Sequence, residues 1–267
     1  MEFRLFLLVS LLIYSCTNSD KENISLFNFL PTDSKVVINI NDLNNTKEIL
    51  TNNKLLPTIV SSTKEISSKL NLLSNKNSER EGILSLSKYG KNEIAFTYIR
   101  KSNSFDTILG NNTLKNKYQK SEIFLEEVNG EEVHKVIIDQ YIVSSDKDII
   151  LENIIRDFYS AKNNLDSEFN KVIKTSDSDE PFNIYTKSSN LSNLHDESID
   201  ISFFPDSKTS WVGYDFNYSL EDLYLAGITR ISDSINGKIS ILKNIEASKI
   251  KTDKIIPNSF LSFLSFS

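Results

Sequence analysis

Only one cysteine, Cys16, stands in this chain of 267 residues, so no internal disulfide can staple it. Histidine is nearly as scarce, with His134 and His195 alone. That leaves imidazole-rich metal centres and histidine-dependent nucleophiles little to draw on. His134 follows Glu131-Glu132 in an extended stretch and is expected to face solvent. His195-Asp196-Glu197 is compact but lacks the convergent spacing of a metal site, so no metal is expected. Glycine is sparse, at 7 residues, and no glycine-rich loop is present to cradle a phosphate. No Gly-x-Ser-x-Gly elbow occurs either. The net charge of -6, with no basic run, argues against nucleic-acid binding, which needs a basic face to neutralise phosphates.

What is present is a core and an anchor. Apolar residues make up 39 % of the chain, with 16 Phe and 10 Tyr, which is enough to build a folded interior. At the start, Arg4 precedes an apolar run from Leu5 to Tyr14, then Ser15 and Cys16. The run falls short of the about twenty residues a membrane span needs, but it fits the apolar region of a signal peptide. Ile13-Tyr14-Ser15-Cys16 resembles a lipobox, which makes 1–15 a cleavable lipoprotein signal and Cys16 the lipidated residue. Several acyl chains, at about 0.8 kcal/mol per buried methylene, would hold such a chain on a membrane permanently. Residues 16–24 read as the lipidated cysteine and a polar tether. Within it, Ser19-Asp20-Lys21-Glu22 resembles the export signal of surface lipoproteins, which favours the outer face of an outer membrane over the periplasmic face.

From 25 to 250 the pattern is that of an α+β domain. Lys35–Ile40 is β-branched and follows a Pro turn; Asn41 and Asp42 offer caps to a helix carrying Leu43, Ile49 and Leu50. A helix is expected from Pro57 to Leu73, and a strand over 92–99 after Gly90. Asn129-Gly130 between Ser121–Val128 and Glu131–Ile137 is the strongest hairpin signal, followed by a short strand at Tyr141–Val143. Ser145 is placed to cap a helix with a Leu151, Ile154, Ile155 and Phe158 stripe, with another helix over 165–173. Phe182–Thr186, 199–203, 212–218 and 223–228 alternate as half-buried strands do. The fold expected is largely antiparallel sheet with packed amphipathic helices, as one large domain or two similar sub-modules. Residues 251–267 echo Phe29–Ile40 (two apolar residues, a proline, a polar turn, a strand) and read as a closing strand or the start of a truncated second repeat.

Cys16 with its lipobox, Phe29-Leu30-Pro31-Thr32-Asp33-Ser34, Tyr141-Ile142-Val143-Ser144-Ser145 and Ile255-Ile256-Pro257 together resemble uncharacterised envelope lipoproteins of the Bacteroidota type. The resemblance implies an envelope location and a large extracytoplasmic α+β region; it carries no catalytic residue and no cofactor.

Three sets of residues compete for a role. Glu126-Glu127, Glu131-Glu132 and Asp177/Asp179/Glu180 could serve a hydrolase as paired acids, although their settings read as solvated surface. Trp211, Tyr214 and Tyr218 could present an aromatic surface to a glycan or peptide, or could face a core. Thr107 and Ser234 sit in Asp-Thr-Ile and Asp-Ser-Ile, which resemble O-glycosylation sites of such envelopes. The leading expectation is a non-catalytic, membrane-anchored domain with a protein or glycan partner.

Overall fold

The computed structural model describes residues 25–54, 56–59, 63–74, 81–91, 93–102, 113–162, 167–176, 179–187, 211–218 and 223–229. Among the described residues ten strands form one sheet in which every neighbouring pair is antiparallel, in the order β10-β9-β8-β1-β2-β3-β7-β6-β5-β4. They are β1 (Ser34–Ile40), β2 (Gly82–Tyr89), β3 (Glu93–Lys101), β4 (Thr113–Tyr118) and β5 (Ser121–Val128). Then follow β6 (Glu131–Ile138), β7 (Tyr141–Ser145), β8 (Phe182–Lys187), β9 (Trp211–Tyr218) and β10 (Leu223–Thr229). An α+β fold dominated by antiparallel sheet is therefore what this chain adopts. Among the described residues no helix is long and apolar enough to cross a membrane.

Helices cover the sheet on both faces, and this explains why the central strands are not simply half-buried. On one face lie α1 (Leu43–Asn52), α2 (Leu56–Ile59) and α3 (Thr63–Leu73). Leu43, Ile49, Leu50, Ile66, Leu70 and Leu73 from these helices pack on Val36, Ile38, Leu84, Leu86, Phe96 and Tyr98. On the other face lie a 3-10 turn (Leu26–Phe29), α4 (Asp148–Tyr159) and α5 (Ser167–Ile173). Here Phe29, Leu151, Ile154, Ile155, Phe169 and Val172 pack on Val37, Ile83, Ile99, Val136 and Val143. With period-two side chains and two covered faces, β1 and β7 have no exposed position, and β2 and β3 are exposed only toward their ends.

Local chemistry sets the boundaries. Asp42 caps α1, its Oδ1 accepting the Asn45 N–H at 3.1 Å. Asn129 and Gly130 both have positive φ, 54° and 82°, which is the backbone a two-residue hairpin of matching twist requires. Of the helix expected from Pro57 to Leu73, the described parts are Leu56–Ile59 and Thr63–Leu73, and 60–62 lie outside the described residues. Ser145 is not the cap of α4: Lys147 holds that position without a side-chain bond, while Ser145 Oγ accepts the Lys147 N–H at 3.2 Å. Two strands were not expected, β2 and β4, and β4 carries an irregularity between Leu114 and Asn116 at a sheet edge. The expected strand over 199–203 and the repeat at 251–267 lie outside the described residues.

Candidate functional site

The aromatic trio of β9 does not assemble. Trp211 is only 5 % exposed, and its ring lies 4.4 Å from that of Phe169 on α5, within the core beneath that helix. Tyr214, three residues on, therefore points to the opposite face, where it packs half-buried against the other core and burial raises its hydroxyl pKa. Tyr218 ends the strand, and its side chain lies outside the described residues. An exposed aromatic surface built on Trp211 is thus corrected to a core position. The parity of the spacing carried that information, since positions 211 and 214 cannot share a face of one strand.

The richest polar constellation surrounds the turn from β7 into α4. Asp146 Oδ1 accepts the Phe96 N–H at 2.9 Å, so the carboxylate stands in for a strand neighbour at the start of β3. Burial raises the Asp146 pKa, against the opposing pull of that hydrogen bond and of Lys69. Lys69, on α3, reaches 3.6 Å from Asp146 and 2.6 Å from Glu131 at the β5–β6 hairpin. Burial works against its charge, but the two carboxylates outweigh that and raise its pKa. Lys147 pairs with Glu93 at 3.5 Å and lies over the Tyr89 ring. These contacts tie a helix, a hairpin and a turn to the sheet.

Under α4 runs a row of buried hydroxyls. Ser85, Thr97 and Ser145 are register neighbours on β2, β3 and β7. Ser34 Oγ contacts Ser85 Oγ at 2.8 Å, and Thr97 Oγ1 donates to Ser145 Oγ at 3.4 Å, which itself donates to the Phe96 carbonyl at 2.9 Å. His134 on β6, directly opposite Ser145, continues the row. It is only 3 % exposed, contrary to the solvent-facing position expected from its acidic neighbours. The strand parity explains this: His134 shares the covered face with Val136 and Ile138.

A second polar chain crosses β1, β8 and β9. Asn41 Nδ2 donates to the Glu180 carbonyl at 2.7 Å and to Asn183 Oδ1 at 3.1 Å, while Asn183 Nδ2 donates to Asp215 Oδ1 at 2.8 Å. Asn183 is buried, so these bonds satisfy its amide where water does not reach. Nothing in the sequence pattern marked the chain, because its members come from the turn after β1 and from β8 and β9, far apart in sequence.

The paired acids are separated by the same parity. Glu126 and Glu131 lie on the face of α3, where Glu126 pairs with Lys135 and Glu131 with Lys69. Glu127 and Glu132 lie opposite one another on the α4 face. Neither adjacent pair therefore meets as an acid and a base across a cleft. Of the third set, Asp177 lies outside the described residues, and Asp179 and Glu180 border the turn into β8. Among the described residues no three His, Cys, Asp or Glu side chains are gathered as metal ligands. Cys16, Thr107, His195 and Ser234 lie outside the described residues.

One part of the sheet stays open. On the α3 face of β4, β5 and β6, Leu114 and Ile137 are 51 % and 40 % exposed and Phe124 is half-buried. Lys117–Glu122 at 2.6 Å and the Lys135–Glu126 pair flank them. Comparison with protein-family models, with curated protein sequences and with solved structures finds no match to this chain.

Proposed function

We propose that this protein is a lipid-anchored envelope lipoprotein whose α+β domain makes protein contacts or supports a larger assembly rather than catalysing a reaction. The observation that carries the proposal is the lone cysteine, Cys16, closing an apolar run just ahead of the polar stretch that leads into the fold. Ser25 Oγ accepts the Phe27 N–H, and Phe29 is fully buried against Tyr141 and Phe158. Residues 16–24 thus fit the role of a tether between a membrane and a domain held firmly at its first turn. Ser19-Asp20-Lys21-Glu22 supports an address on the outer face of an outer membrane.

A structural or contact role is supported by how the chemistry-bearing groups are used. Lys69, Asp146, Glu131, Glu126 and Asn183 each join one element of the fold to another. The apolar side chains left exposed on β4 and β6, bordered by paired charges, have the composition of a protein-contact surface. A glycan or peptide site on Trp211 is not carried forward, because the indole is buried. Thr107 and Ser234 remain candidate O-glycosylation sites in this reading. The two sub-modules would be the strand–helices–strand units β1 to β2 and β7 to β8, whose helices cover opposite faces.

Photo-crosslinking in cells tests the contact role, with the reactive residue at Leu114 or Ile137 and a control at the exposed Lys162. Adducts of discrete mass at the first two positions and none at the control are expected. Absence of adducts, together with a reproducible hydrolase or transferase activity lost on changing one of Glu126, Glu127, Glu131 or Glu132, would overturn it.

A further inference from the structure

We propose that His134 is an acid trigger, whose protonation loosens the packing of the β6–β7 sheet surface against the start of α4. The imidazole side chain is 4 % exposed, and its Nδ1 has no hydrogen-bond partner. Its neighbour across the ladder, Ser145, has nothing to offer. The Ser145 hydroxyl donates to the Phe96 carbonyl and accepts from Thr97 and from the Lys147 N–H, which uses its donor and both lone pairs. A neutral ring leaves Nδ1 as a bare lone pair, which costs little. A charged ring turns the same atom into a buried N–H donor with no acceptor, a far more costly state.

Among the described residues the charges around the ring come from β4, β5, β6, the turn after β7 and α4. Lys115 of β4 opposes protonation. Asp148 at the first residue of α4 favours it but is already engaged by Lys115 at 3.0 Å. Glu132, on the same strand, lies 3.8 Å from Nε2 with a side chain 65 % exposed, so water screens it. Asp146 lies in the turn before α4, and Glu127 faces Glu132 from β5. Burial, reinforced by Lys115, holds the His134 pKa below the ordinary histidine value. A pKa lowered on folding makes the unfolded chain the stronger proton binder at mildly acid pH. The stability it contributes is complete above the unfolded value, about 6.5, and is lost as pH falls through the folded value. Asp146, with its raised pKa, acts in the opposite sense, because its protonation favours the folded state.

The test uses the full chain. Histidine side-chain NMR, assigned with His195→Gln, follows both imidazoles against pH, and denaturant unfolding is repeated from pH 7.5 to 5. His134 should titrate below about 6.5. The unfolding constant of the wild type should rise by up to about tenfold per pH unit across the window between that value and the folded one. His134→Gln should flatten that slope. An ordinary or raised His134 titration in the wild type overturns the proposal, even where the variant does not fold. A His134→Gln protein that keeps the full acid slope overturns it equally.

Discussion

Single side chains in this protein act mainly as ties, and the residues that looked most functional are among the most structural. Trp211 is the clearest case. With its ring against Phe169 and the strand pinned between β8 and β10, the indole fills a space that no smaller side chain fills. Trp211→Ala should cost roughly 3–5 kcal/mol of stability, as large aromatic truncations in cores do. Chemical denaturation would measure this, and a stable, folded variant would return Trp211 to the candidates for binding. Asp146 shows the same habit at a charged position, because one carboxylate serves a strand N–H and a lysine from a helix on the sheet. Residue identity in the sequence pointed to Trp211 but not to its role, and nothing in the sequence pattern marked Asp146. Burial of an indole, or of His134, depends on which face of a strand a distant helix covers.

At the scale of elements, the hairpin at Asn129-Gly130 and the stripes of α1 and α4 were legible because each rests on local chemistry. A turn needing positive φ selects Asn and Gly, and a helix packed on a sheet repeats its apolar residues every three or four positions. Gly130→Ala forces a side chain into φ +82° with open space around it, so the penalty is conformational and should be about 1–2 kcal/mol. Denaturant midpoints would report it; an unchanged midpoint would mean the hairpin tolerates another turn. β2 was missed for the opposite reason. Its Ser85 and Ser87 imitate solvent-facing positions, yet both are buried and join the hydroxyl row under the second helical layer. β4 was missed because an exposed edge strand with Lys115 and Lys117 has no apolar pattern to read, and those lysines with the local irregularity guard the edge against unwanted pairing.

For the molecule as a whole, ten antiparallel strands with helices on both faces make a broad sheet whose middle is dry. The antiparallel α+β class followed from sequence patterning. The covering of both faces did not, since it requires knowing where helices separated by over seventy residues come to rest. Nor did any part of a site, because among the described residues no adjacent pair of acids and no run of aromatics survives strand parity as a cluster. What remains to define the role is the proposed lipid anchor at Cys16 and the surface the domain presents. Metabolic labelling with a fatty-acid reporter, followed by detergent phase separation of the wild type and Cys16→Ser, tests that account most directly. The account predicts label on the wild-type chain and its partition into the detergent phase, with both lost in Cys16→Ser. A wild-type chain without label, or a variant that labels and partitions unchanged, would contradict it.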